Sequence, residues 1–411
     1  MTAPLSLFAG FGLELEYMVV DATTLEVLPV VDDLLRAVAG TYTNEVALDD
    51  IGWSNELVLH VIELKTNDPV PALEGLPERF QAHVRRLNAL LAPRGGCLLP
   101  TGMHPWMDPR RQTRLWPHDG REIYAAFHRL FDCRRHGWAN LQSVQLNLPF
   151  ADDAEFARLH AAVRLLLPLL PALAASSPLV RGRLRGWLDM RLYFYSRNAA
   201  RLPLVTGQVI PEPVYSRQAY EQEILQPLYR AVAPYDPAGL LQHEWLNARG
   251  AIARFDRSAI EIRVLDAQEC PLADLTLCHA AVAVLRALVA ERWLPLAAQQ
   301  AWPTAPLHAL LQATMRHGEQ ARICDLEYLR AFGLPHPCTA GQLWQHLCTT
   351  LGLLAEDSPW APPLRTLLAH GPLARRLRRA LGAAPSRERI RAVYRQLAAC
   401  LHEGRLFIPP A

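Results

Sequence analysis

The sequence predicts an α+β fold, a sheet with packed helices followed by a helical C-terminal region. Three observations carry this. Alternating segments, FGLELEYMVVD, ELVLHVIELKT and LQSVQLNLPF, fall within the first 150 residues, and a fourth, SAIEIRVLD, follows near 260. Each sets apolar side chains on one face of a strand at period two. Between them run stretches of helical periodicity, and beyond Pro271 the periodicity is helical only.

Taken in order, the first strand spans Gly12-Leu13-Glu14-Leu15-Glu16-Tyr17, with the leucines and Tyr17 on one face and both glutamates on the other. The next, ELVLHVIELKT, ends in Glu63-Leu64-Lys65. Helices are expected at 70–92, 152–175 and 217–232. The very apolar run 165–180 holds three prolines and is shorter than a bilayer span, so it reads as buried helix and turn. After the strand at 259–266 come helices at 273–293 and 386–403, the latter with Ser386 to cap it and Gly404 to stop it. The proline-rich stretch 358–363 reads as a loop. The division expected is 1–295 for the sheet-bearing part and 296–411 for the helical region.

With 411 residues, 51% of them hydrophobic, the chain can bury a large core, and disorder is excluded. Basic and acidic residues nearly cancel, 42 against 40, so nothing calls for nucleic acid. Arg375, Arg376, Arg378 and Arg379 alternate with Leu373, Leu377 and Leu381, which predicts a solvated arginine face over a leucine stripe. Lysine occurs once, at Lys65. The eight cysteines form no CxxC pair and no zinc-type spacing. With no secretory leader or membrane span read from the sequence, a reduced cytoplasmic protein is expected. The sequence leaves self-association open.

The chemistry is carried by recurrence. Paired acids on one strand are ordinarily a solvated sheet face. Here acid again sits beside apolar residues in Ile62-Glu63-Leu64, with Glu56 seven positions earlier, and in Ile260-Glu261-Ile262-Arg263. If these strands are neighbours, four or five carboxylates gather on one face, and magnesium is the cation that suits them. Glu56 and Glu63 are an odd number apart, which one regular strand cannot place on one face; a bulge or a late strand start is required. Arg263 shares a face with Glu261, a pairing that suits a transferring phosphoryl group and equally a plain salt bridge. Ser143, Gln145 and Asn147 add neutral donors and ligands on one face. No Walker A sequence, GxGxxG before a helix, HExxH or GxSxG occurs.

FGLELEYMVVD, IELKT, TGMHPW, LAASSPLVRG, LDMRLYFYSRNAARLPLV and AIEIRVLDAQECP stand in the order seen in bacterial carboxylate-amine ligases. Over about residues 10–275 the chain resembles the glutamate-cysteine ligase family, with LQSVQLNLPF similar to its plant-type branch. The resemblance implies a glutamine-synthetase-like curved, mainly antiparallel sheet. It also implies an ATP- and Mg2+-dependent ligase in which glutamate's side-chain carboxylate takes the γ-phosphoryl group and an amine such as cysteine displaces phosphate.

Carried over by position, Glu14, Glu16, Glu56, Glu63, Gln145 and Glu261 are implied as metal ligands. Gln145, Asn147 and Arg263 are implied to bind ATP. Arg263 and Arg191 are implied catalytic, and Arg191 and His104 are implied to face substrate. Gln145 stands where several branches carry histidine. Three alternatives remain beside cysteine ligation: a different amine or a peptide carboxylate, a nucleotide-binding relative without turnover, and a two-carboxylate hydrolase that would ignore ATP.

Overall fold

A computed structural model describes residues 4–409. At its centre lies an eight-stranded sheet formed by β1 (Gly12–Asp21), β2 (Glu45–Leu48), β3 (Ile51–Asn55), β4 (Val61–Thr66), β5 (Gly96–Leu99) and β6 (Ser143–Pro149), then, past the small hairpin β7 (Leu179–Val180) and β8 (Arg183–Leu184), by β9 (Ala251–Arg254) and β10 (Ala259–Asp266). Its order is β2-β3-β4-β1-β6-β10-β9, and every pairing is antiparallel. β1 is long enough for two partners on one edge: β6 pairs with Gly12–Leu15 and β5 with Met18–Asp21, while β4 takes the other edge. A further two-stranded pair, β11 (Arg322–Ile323) and β12 (Cys338–Thr339), lies apart from this sheet.

Alternation divides the two faces. Leu13, Leu15, Tyr17 and Val19 of β1, Ile62 and Leu64 of β4, Val144 and Leu146 of β6, and Ile260 and Ile262 of β10 are buried in one apolar layer. The helices Leu76–Leu91, Asp153–Leu166 and Pro271–Val289 cover it. Burying each such side chain contributes about 1.5–3 kcal/mol, which fixes the register because a one-residue slip would turn the glutamates inward. Pro271–Val289 is long and apolar enough to cross a bilayer, yet 72% of its apolar window is buried inside the protein, as a core helix requires.

The segment ELVLHVIELKT, expected as one strand, is divided. β3 ends at Asn55, Glu56 follows it, and the chain turns before β4 starts at Val61. Glu56 and Glu63 therefore approach across a chain reversal, and of the two expected solutions the late strand start holds and the bulge does not. The bulge lies in β10, where the register with β6 shifts between Ile262 and Leu265. The helix expected over 217–232 is present and carries a π-helical turn at Glu221–Leu225. Instead of forming loop alone, the 358–363 stretch puts Pro362 and Pro363 in the first turn of the helix Ala361–His370, where a proline's missing N–H costs nothing.

The helical region beyond residue 295 shares the sheet's core. Tyr328 Oη donates to the Leu165 carbonyl at 2.7 Å, and Trp344 Nε1 donates to the Leu169 carbonyl at 3.0 Å. Helix Arg387–Glu403 has the expected ends, with Ser386 Oγ accepting from the Arg389 N–H at 3.1 Å and Gly404 at φ 79°. In Leu373–Leu381 the three leucines are buried as predicted, but the arginine face is not wholly solvated. Arg376 is fully buried, ion-paired with Glu269, and donates to the Phe407 carbonyl at 2.6 Å. A guanidinium one turn from Leu373 and one turn before Ala380, both buried, falls on the buried side, and Glu269 compensates its charge there.

These last two helices meet the sheet's second face. Met18 and Val20, beyond the glutamates on β1, are covered by Trp106, Met107, Leu377 and Tyr394. The Glu14–Glu16 half of that face stays open.

Candidate active site

The open half of the face is the floor of a cavity of about 360 Å³. Register alone brings four strands' side chains together there: Glu14 stands opposite Lys65 on one side and Gln145 on the other, Glu16 opposite Glu63, and Glu261 opposite Asn147. Glu56, just past β3, joins them. Carboxylate oxygens of Glu16, Glu56 and Glu63 lie within 4.8 Å of one another.

Neutral donors orient this group. The Ser143 N–H and Gln145 Nε2 donate to the two oxygens of Glu16, at 2.8 and 2.9 Å. Ser54 Oγ donates to Glu63 at 2.7 Å, and Asn147 Nδ2 to Glu14 at 3.2 Å. Among the described residues, no arginine or lysine forms an ion pair with Glu14, Glu16, Glu56 or Glu63. The electrostatic consequence is a proton affinity well above the ordinary. Burial and then Glu63 push Glu16 up to about 7, burial with Glu63 and Glu261 raises Glu14 well above the carboxylate range, and burial with Glu16 and Glu63 does the same for Glu56. Hard oxygen donors carrying uncompensated charge fit a divalent cation such as magnesium.

Glu261 is different. Arg263 Nε and Arg254 Nη1 both donate to it, the latter at 3.3 Å, so this carboxylate is neutralised within the protein. Arg254 also pairs with Asp256 at 3.0 Å. Arg263 sits in the β10 bulge, where its N–H donates to the Gly250 carbonyl at 2.8 Å.

Arg191 lines the cavity, but its guanidinium is occupied. Nε donates to Asp266, and both terminal nitrogens donate to the Arg263 carbonyl at 3.2 Å. The oxygen Oδ2 of Asp266 accepts from the Ser176 N–H at 2.8 Å and from Ser177 Oγ at 2.7 Å. A Cβ on Gly102 would fall 2.5 Å from the Asp266 carboxyl carbon, so only glycine fits. Three sequence motifs, TGMHPW, LAASSPLVRG and LDMRLYF, thus converge on one buried aspartate that sequence reading passed over. The signal was the serine pair and the glycine, whose target lies 90 residues away.

His104 is placed elsewhere. Its ring is buried, bonds the Leu25 carbonyl through Nε2 at 2.7 Å and accepts from the Met107 N–H through Nδ1 at 2.9 Å. It shapes the 101–107 loop and does not line the cavity. Asn147 likewise acts through Glu14 and is not among the lining side chains.

The sequence reading also missed the cavity's roof. Tyr124, Phe127, Trp138, Tyr195 and Trp245 line it, from helices Arg121–Phe131, His136–Ala139 and Met190–Tyr195 and the 244–246 turn. Phe127 packs against Trp138 and Trp245 with ring centroids 5.3 and 5.5 Å apart. Their spacing resembles an ordinary apolar helix face, which hides such residues in sequence.

Comparison with known proteins agrees with this layout. The chain is 39% identical over 264 residues, 64% of its length and 71% of the relative's, to an uncharacterized protein of Archaeoglobus fulgidus. Its fold is similar to that of a glutamate–cysteine ligase from Francisella tularensis solved in complex with AMP, at TM-score 0.61 and 14% identity, over 95% of this chain and 88% of that one. It is also similar to a bifunctional glutathione synthetase from Pasteurella multocida, at TM-score 0.56 and 14% identity, over 97% of this chain and 52% of that one, so it spans about half of that protein. The family model for glutamate-cysteine ligase family 2 matches residues 10–396. With that match over nearly its whole length, the chain belongs to glutamate-cysteine ligase family 2, a family of carboxylate-amine ligases.

Proposed function

We propose that this protein is an ATP- and magnesium-dependent ligase that joins the side-chain carboxylate of glutamate to an amine through an acyl phosphate; cysteine is the acceptor that the family's name carries. The observation that supports it most directly is the convergence of Glu16, Glu56 and Glu63 within 4.8 Å, beside the Glu261–Arg263 pair in one cavity.

Glu16, Glu56 and Glu63 would hold magnesium, with Glu14, Gln145 and Glu261 lining the same cavity. Held there, magnesium would supply charge neutralisation for the phosphate groups. Arg263 carries a permanent charge toward the transferring phosphoryl group, and Glu261 and the Arg191 fork on its carbonyl hold it in place. The neutral donors Ser54, Ser143, Gln145 and Asn147 fix the carboxylates without cancelling their charge. In the reaction, a glutamate oxygen takes the γ-phosphoryl group from ATP and ADP leaves. The amine nitrogen then forms the amide bond as phosphate departs with its bonding pair, and the nitrogen's proton goes to that phosphate. The apolar roof limits water, which would otherwise hydrolyse the acyl phosphate.

The test supplies purified protein with ATP, magnesium, glutamate and hydroxylamine, which traps an activated carboxylate whatever the natural amine. γ-Glutamyl hydroxamate with stoichiometric ADP is the expected product. Its absence, with no ADP release in the presence of glutamate and any amine, overturns the proposal.

A further inference from the structure

The roof and the charge pattern together restrict the acceptor. Resting on the ligase reading above, we propose that it is an amine without a carboxylate, borne on a bulky apolar or aromatic body that lies against Tyr124, Phe127 and Trp138.

These three side chains are half-buried, packed on the core on one side and lining the cavity with what remains exposed. Their polar edges are already engaged: Trp138 Nε1 donates to the Asn198 carbonyl at 3.0 Å, and Tyr124 Oη accepts from Asn55 Nδ2 at 3.0 Å. What remains to contact a ligand is ring face, C–H edge and the single Tyr124 O–H, a mainly apolar surface that favours apolar or aromatic groups and tolerates an adjacent cation.

The cavity's cations are disposed against a second amino acid. Lys65 pairs with Glu45 at 2.7 Å, Arg254 and Arg263 with Glu261, and Arg191 with Asp266. Of the lining cations only Arg257 has no ion pair among the described residues. It stands on the β9–β10 turn, where its charge acts on Glu14. Tyr124 stands at the other end, within the influence of Glu56 and Glu63. A carboxylate carried by a ligand on the aromatic wall would be desolvated there while the neighbouring cations are already paired, which selects against it. An amine without a carboxylate brings no such charge to the wall and attacks as the neutral amine.

The experiment compares matched acceptors with the intact enzyme, ATP, magnesium and glutamate: 2-phenylethylamine against phenylalanine, cysteamine against cysteine, and ethylamine as the size control. ADP release and product mass are the readouts. The expected result is a kcat/KM for 2-phenylethylamine at least about ten-fold above both phenylalanine and ethylamine. Preference for the amino acid in either pair, equal use of ethylamine, or rejection of every amine while hydroxylamine still gives the hydroxamate overturns this inference and leaves the ligase reading standing. Loss of hydroxamate as well overturns the ligase reading itself. Trp138→Ala and the milder Phe127→Leu separate the wall's occupants: a KM raised about ten-fold for the amine alone supports the inference, whereas a rise confined to ATP assigns the wall to adenine and overturns it.

Discussion

Arg191 donates through both terminal nitrogens to the main-chain carbonyl of Arg263, at 3.2 Å each, while its Nε is held by Asp266. One arginine thus fixes the backbone from which the other projects. Arg191→Lys keeps the charge but has no fork. Because a shift of about 1 Å at a reacting group costs on the order of 100-fold, kcat is expected to fall by about that factor, with a smaller change in the KM for ATP. Steady-state kinetics checks this, and an unchanged kcat would remove Arg191 from the positioning role. Asp266→Asn is expected to give the same kinetic pattern.

Glu261 and Arg263 are separable by stability. On sequence grounds both act on phosphate from outside the core, so either alanine variant should lose turnover and keep its fold. The geometry changes half of that expectation. Glu261 is buried and compensates Arg254 and Arg263 together, so Glu261→Ala leaves Arg263 without its ion pair and Arg254 with Asp256 and Glu244, and is expected to lower stability by about 3 kcal/mol. Arg263→Ala leaves the Glu261–Arg254 pair intact and should lose ATP turnover with a much smaller change in the urea midpoint.

Repulsion within the glutamate trio gives a prediction of opposite signs. Without metal, Glu56→Gln removes one of the crowded charges and should raise the melting temperature, by a few degrees for about 1 kcal/mol. With saturating magnesium the order reverses, because the variant has lost a ligand. Scanning both proteins with and without magnesium tests this; an equal magnesium shift in the two would detach Glu56 from the metal.

Buried histidines should withdraw stability as pH falls. Burial holds His60 and His104 down to about 4 and His160 to about 3, against 6.5 when unfolded. The folded values are depressed, so their contribution is fully present above pH 6.5 and lost as pH falls toward 4. Each removes roughly 1.4 kcal/mol per pH unit in that window, about 4 kcal/mol per unit for the three. The raised carboxyls of Glu14, Glu16 and Glu56 act with the opposite sign over this window, so the histidine contribution is read by difference: between pH 6.5 and 5 the wild-type urea midpoint is expected to fall relative to that of His160→Leu, and parallel pH profiles of the two would remove His160 from the acid response.

Much of this was legible in the sequence because it depends on period two. Glu14 and Glu16, Gln145, and Glu261 with Arg263 each declared their face from alternation, and the family's motif order located them on neighbouring strands. Three things depended on more than local pattern. The turn at residues 56–60 was hidden because Leu57, Val58 and Leu59 continue an apolar run through a chain reversal. Asp266 required knowing that Ser176, Ser177 and Arg191 reach it from up to 90 residues away. Arg376 looked solvated because a single helix does not reveal which neighbour, here Glu269, waits on its other side.

The single lysine of this chain, Lys65, projects into the cavity from β4 beside Glu14. Reagents that couple to ε-amines therefore meet one such target in the entire chain, and it borders the active site. A fluorophore or cross-linker attached there would report directly on occupancy of the cavity, whereas amine-based immobilisation through that side chain would block the mouth it was meant to present.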